Sequence, residues 1–159
     1  MPMTMKVTGI EELGQKLRDL GDQAVGIAAK ALYNGAGVMA TAYSKAFENI
    51  RTEPFRYVWN GRKRLPSPEE KAALVGASGV ARFEKSDAEV NTSVGIRGAG
   101  YVNIAGRRKA VKLIANSINS GTSFMDKQPI FRQAVTNTKN SASQAIVDTA
   151  DRLIEEITK

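Results

Sequence analysis

The chain contains no cysteine and no histidine. Disulfides, thiolate or imidazole metal sites, and nucleophile systems built on Cys or His are therefore excluded. Carboxylate-only chemistry is left open, for Mg²⁺ or for glycosides. No run approaches the ~20 apolar residues of a membrane-spanning helix. The opening "MPMTMKVTG" lacks the apolar stretch of a secretory signal, so synthesis in a cytoplasm and no membrane partner are expected. Aromatic residues are scarce at 6%, yet the overall 42% apolar share is ordinary for a globular chain and predicts a buried core. At 159 residues, one domain is expected.

The net charge of +7 is unevenly placed. Residues 1–50 hold five basic and five acidic side chains, and residues 114–159 hold five of each. Residues 51–113 hold thirteen basic and six acidic, which accounts for the whole excess. Such a centre suits phosphates or an acidic partner, and equally a solvated basic loop.

Along the chain, "MKVTGIEELGQKLRDLG" reads as a short strand and a short helix. Thr8 and Glu11 have capping-box spacing, and Ile10, Leu13, Leu17 and Leu20 share one face. A long helix is predicted from Asp22 to Ile50, about 43 Å at ~1.5 Å per residue. Its seam is Val25, Ala29, Leu32, Ala36, Met39, Tyr43, Phe47 and Ile50. Gly26, Gly35 and Gly37, each costing about 1 kcal/mol there, suit close approach of a partner helix better than a kink.

The segment 51–79 sets Phe55, Tyr57 and Trp59 among Arg56, Arg62, Lys63 and Arg64. It is expected to be a basic, irregular insertion, with an Asn60–Gly61 turn and a helical piece capped by Ser67 with Pro68 in its first turn. Residues 80–105 turn to period two, as in Val90, Thr92, Val94 and Ile96, and predict a three-stranded meander with "GIRGAG" as a hairpin turn. The stretch "GRRKAVKLIANSINSG", residues 106–121, fits strand or helix. Pro129 then opens a run free of Gly and Pro over 130–158, a second long helix of about 45 Å. Its stripe is Phe131, Val135, Thr138, Ala142, Ala145, Ile146, Thr149, Leu153 and Ile157. The predicted class is α+β, with two long helices and a short N-terminal helix packed on a small antiparallel sheet.

No catalytic set emerges. Glu69–Glu70 and Glu155–Glu156 are adjacent pairs, pointing about 100° apart on a helix, and read as solvated faces. No metal ligand set, cofactor site or enzymatic activity is expected. The defensible polar features are two clusters, Arg62, Lys63 and Arg64, and Arg107, Arg108, Lys109 and Lys112. Together with Arg56 they are the candidates for facing DNA or a partner, through the phosphate backbone only.

Two stretches carry a family resemblance. "MKVTGIEELGQKLRDLG", and "NSGTSFMDKQPIFRQAV" before the last helix, together resemble a phage tail-component family typified by the gene-ten product of a lambdoid siphophage. That family carries "GT-x-x-M-x-x-x-P-hydrophobic-hydrophobic-R-x-A", matched here by Gly121, Thr122, Met125, Pro129, Ile130, Phe131, Arg132 and Ala134. The two stretches span about a fifth of the chain. The centre differs, because 51–79 stands where the family has a short "TG-x-L" element. The resemblance implies a single tail-component-like domain over 1–159 and a non-enzymatic virion protein of a bacteriophage or phage-like particle. It implies a homo-oligomeric ring of six- or twelve-fold symmetry at the head-proximal end of the tail. Its role there would be neck, tail completion or tail terminator, joining tail to head beside other neck and tail proteins. Phe55, Tyr57, Trp59, Phe124 and Met125 are the candidate interface residues. Another reading is a sequence-independent nucleic-acid-binding module using 51–113.

Overall fold

The computed structural model describes residues 21–55, 61–80, 84–85, 90–96 and 100–158. The class is α+β. After a 3-10 turn at Gly21–Gln23, four helices follow: α1 (Ala24–Glu48), α2 (Pro68–Ala77), α3 (Val111–Ser120) and α4 (Ile130–Thr158). The strands are β1 (Ser78–Val80), β2 (Glu84–Lys85), β3 (Val90–Asn91), β4 (Val94–Ile96), β5 (Tyr101–Ile104) and β6 (Arg107–Ala110). The predicted strand and helix over residues 5–20 lie outside the described residues.

The meander is corrected. The strands pair two at a time, β1 with β4, β2 with β3, and β5 with β6. Residues 97–99, the middle of "GIRGAG", lie outside the described residues. The hairpin turn lies at Ala105–Gly106, both at positive φ (52° and 74°), which a right-twisted two-residue hairpin requires. Ala-Gly is a weak signal beside Asn-Gly, because an alanine Cβ disfavours that conformation. The 107–120 stretch resolves into strand and then helix.

The chain forms two compact units, each assembled from separate segments. Of the described residues, the first comprises 21–40, 80, 84–85, 90–95 and 138–158. Its core gathers Ile27, Ala31 and Leu32 of α1 with Ile146 and Ala150 of α4, and Ala24, Ala28, Val90, Leu153 and Ile154 pack around them. The α1 seam therefore begins on Ile27 and Ala31, whereas Val25 is exposed and Ala29 only half-buried. Gly35 makes this packing close. A Cβ built there would collide with Ile146 Cγ1 and lie 2.7 Å from its Cδ1 and 3.0 Å from the Ala142 carbonyl oxygen. Gly26 and Gly37 meet nothing within 4 Å, so the close-approach expectation holds for Gly35 alone. Asn34 Nδ2 donates to Thr149 Oγ1 (2.8 Å), and that hydroxyl donates to the Ala145 carbonyl (2.7 Å). The buried Thr149 hydroxyl is thus satisfied both as acceptor and as donor.

Of the described residues, the second unit comprises 41–55, 61–79, 96 and 100–137. Tyr43, Phe47 and Phe131 form an aromatic trio, with centroids 5.5–6.2 Å apart and Phe131 edge-on to both tyrosine and phenylalanine. Burial pushes the Tyr43 phenol up to about 12. Ile50, Pro66, Leu74, Ile104, Val111, Ile114, Ala115, Ile118, Met125, Ile130 and Ala134 are buried in it as well.

Candidate functional site

The site grows from the start of α2. Ser67 is the N-cap, its hydroxyl accepting from the Glu70 N–H (3.2 Å), while the Glu70 carboxylate accepts from the Ser67 N–H (2.9 Å). This is a reciprocal capping box, with Pro68 at the first turn, where its missing N–H costs nothing. Glu70 does more than cap. It is 1% exposed, and Arg64 grips it with both guanidinium nitrogens: Nη1 to Oε2 at 2.7 Å and Nη2 to Oε1 at 2.8 Å. Lys109 Nζ reaches Oε1 from β6 at 2.9 Å.

The carboxylate thus meets four donors, and two cations cover one buried anion. Burial pushes the Glu70 carboxyl up. The Arg64 hydrogen bonds, the Ser67 amide and Lys109 outweigh that push and hold it down at about 2. The reading of Glu69–Glu70 as a solvated pair is corrected: Glu69 is exposed, whereas Glu70 is the buried anion of this unit. Helical geometry sends adjacent residues to different faces, so one of the pair can be inside while its neighbour stays in water.

Phe55 lies across both cations, 5.3 Å from Arg64 Cζ and 4.8 Å from Lys109 Nζ at its centroid. Its ring closes the apolar side of the cluster. Glu53 fixes the chain beside it, its Oε1 accepting from the Leu65 N–H (3.0 Å) and its own N–H donating to the Pro66 carbonyl (3.0 Å).

The signature stretch attaches to this cluster through backbone. Arg64 N–H donates to the Phe124 carbonyl (2.7 Å), and Asp126 N–H donates to the Arg64 carbonyl (3.0 Å), a parallel bridge centred on Arg64 and Met125. Thr122 shapes the loop: its Oγ1 accepts from the Phe124 and Met125 N–H groups (3.1 and 3.0 Å), and its N–H donates to the Met125 carbonyl (3.0 Å). Gly121 closes α3 at φ 74°, with Lys127 packed at 3.1–3.3 Å from where a Cβ would stand. Gln128 and Arg51 exchange two hydrogen bonds, Arg51 N–H to Oε1 (3.0 Å) and Nε2 to the Arg51 carbonyl (3.1 Å). The Asn119 side-chain oxygen accepts from the Phe131 N–H at the start of α4 (3.3 Å).

The candidate basic residues divide. Arg64 and Lys109, expected to face DNA or a partner, turn inward to Glu70, with side chains 18% and 26% exposed. Arg62, Lys63, Arg107, Arg108 and Lys112 are exposed. The strand period explains the split within "RRK". In the antiparallel register Lys109 lies opposite Val102 and Arg108 opposite Asn103, so the two point to opposite faces. Arg108 stacks outward on the exposed Tyr101 ring, 4.3 Å from its centroid. Arg56, Tyr57 and Trp59 lie outside the described residues.

The candidate interface residues divide as well. Met125 is buried at 4%, whereas Phe124 beside it is 61% exposed. Phe55 is half-buried under the two cations. Sequence reasoning missed Glu70 as the hub, although Ser67 and Glu70 have the S-x-x-E spacing that could have found it.

Among the described residues, no group of three or more Asp or Glu side chains could hold a metal ion, and no helix is long and apolar enough to cross a membrane. The chain matches no protein-family model, no curated protein and no solved structure.

Proposed function

We propose that this chain is a non-enzymatic structural protein of a bacteriophage or phage-like particle. It forms a ring at the head-proximal end of the tail and joins tail to head, as neck, tail-completion or tail-terminator subunit. It is made in the bacterial host cytoplasm and resides in the virion. The observation that carries this reading is the stretch 121–134, where the resemblance lies. Its residues act as a joint: Thr122 fixes the turn, Met125 anchors it, and the bridge to Arg64 ties it to the Glu70 cluster. Hydrogen bonding there serves geometry, in keeping with a part that transmits position between neighbours.

Quantitative mass spectrometry of purified particles from the source strain tests the reading. About six or twelve copies per particle are expected for a closed ring. Absence from intact particles alongside abundance in the lysate would overturn it.

The exposed cations Arg62, Lys63, Arg107, Arg108 and Lys112 favour a second reading, a sequence-independent nucleic-acid-binding module. That module would bind duplex DNA as an isolated monomer, with affinity falling steeply as salt rises. Arg64 and Lys109 contribute little to such a footprint, since both are engaged with Glu70.

A further inference from the structure

Two surfaces of opposite sign stand out. The first is the corner made by hairpin β5–β6 and the first turn of α3. It exposes Arg107, Arg108 and Lys112 beside Tyr101 (57%) and Leu113 (66%), and no Asp or Glu occurs from residue 90 to residue 125. The second is the C-terminal half of α4. It exposes Asp148, Asp151, Glu155 and Glu156 beside exposed Val147, with Arg152 as its one cation, paired to Glu156 (2.9 Å), and Gln144 Nε2 donating to Asp148 (2.7 Å). Val147, Asp151 and Glu155 follow at intervals of four and so share one helix face.

Part of each charge set sits where its own helix disfavours it, Lys112 at the start of α3 and Glu155 and Glu156 at the end of α4. A helix is positive at its N-terminus and negative at its C-terminus, which selects acids at the start and bases at the end. Yet α3 has no acidic residue in its first turn, carries Lys112 there, and follows three consecutive cations with an N-cap, Ala110, that offers no side-chain acceptor. The last turn of α4 has no basic residue and lies directly after or on Glu155 and Glu156. Folding of a single chain favours the reverse in both places. An association that brings the two ends together removes both misfits at once.

We propose that the basic β5–β6/α3 corner of one copy docks on the acidic C-terminal half of α4 in a second copy of this chain, repeating head to tail. This rests on the assembly reading above and names its contact. A contact between two different faces leaves each copy with one of each still open, so it propagates and can close as a ring. Tyr101 and Leu113 against Val147 form the apolar centre, and the surrounding charges set the register.

The test uses the full chain in sedimentation velocity and native mass spectrometry, across protein and salt concentrations. The native chain is expected to form oligomers that weaken as salt rises. The pair Arg108→Glu and Lys112→Glu, or the pair Asp151→Lys and Glu155→Lys, should each weaken association by about tenfold or more. Lys112→Glu and Glu155→Lys suit the dipoles of their own helices, and Asp151→Lys changes an exposed position, so thermal stability should hold within a few degrees. Mixing the two reversed proteins should restore association, because each then offers the other an opposite face. Undiminished association of either variant, no restoration on mixing, or a native chain that stays monomeric would overturn the contact. Duplex DNA binding that is abolished by the Arg108/Lys112 pair, with association unchanged, would assign the basic corner to nucleic acid and also overturn it. The particle role stands or falls separately, on copy number in purified particles.

Discussion

Arg64 and Glu70 form a two-pronged ion pair at 2.7 and 2.8 Å, in which the acid is 1% exposed and the base 18%. Six residues apart, they link the segment before α2 to its first turn, and Lys109 brings in the hairpin strand β6. One carboxylate thus gathers three segments of the second unit, and its removal would strand two cations around an empty centre.

Glu70 should make the protein acid-sensitive. Its carboxyl is held down at about 2 from its ordinary 4.5, so the native state binds its proton less readily than the unfolded chain. The associated stability is present above pH 4.5 and is lost as pH falls toward about 2. The shift corresponds to about 3 kcal/mol. Urea melts at pH 7 and pH 3 should show about 2 kcal/mol of that loss in the native chain. Glu70→Gln should be destabilised by about 3 kcal/mol at pH 7 and show much less dependence on pH in this window. Equal pH profiles would refute the role.

The same substitution at two glycines of α1 should have opposite signs. Gly26→Ala adds a Cβ into open space, and the gain in helix propensity should raise stability by up to about 1 kcal/mol. Gly35→Ala drives a Cβ into Ile146 and should cost about 1–3 kcal/mol despite that gain. Adding Ile146→Val should recover part of the loss. Independent, additive effects at 35 and 146 in a double-mutant cycle would mean that the two helices do not meet there.

Ala105 holds φ 52° in the β5–β6 turn, a conformation that L-residues other than Asn and Asp seldom adopt. Ala105→Asn creates Asn-Gly with Gly106, the preferred pair for such a turn. An increase of about 1 kcal/mol in unfolding free energy is expected, read from denaturant midpoints. A decrease would mean that the turn has another geometry.

Met125 and Phe124 should separate stability from association. Met125→Ala removes a buried side chain and should cost about 2–4 kcal/mol in chemical unfolding. Phe124→Ala removes a 61% exposed ring and should leave the melting temperature within about 2 °C. If Phe124 belongs to an interface, its loss should weaken oligomer formation without altering the fold. A large drop in thermal stability on Phe124→Ala would instead place its ring in the core.

The helices were legible because local rules specify them. Ser67, Pro68 and Glu70 announce the start of α2, and Pro129 precedes a 29-residue α4 uninterrupted by Gly or Pro. The sheet was less legible. Runs such as Val90–Asn91 and Val94–Ile96 alternate correctly, but pairing depends on chain closure between distant segments, and period two carries no partner information. The candidate site was legible only as composition. Arg62, Lys63 and Arg64, or Arg107, Arg108 and Lys109, look alike in a row of letters.

What the sequence determined by itself was therefore the local inventory: two long helices, the capped α2, an excess of positive charge between residues 51 and 113, and no Cys or His chemistry. What only the tertiary structure decided was which of those charges are internal. Arg64 and Lys109 converge on Glu70 across 39 residues, while Arg108 turns to the opposite face of its strand. A buried carboxylate must be neutralised by whatever donors the fold brings within about 3 Å, and proximity of that kind is a property of packing. Gly35 makes the same point, since its missing side chain has meaning only against Ile146.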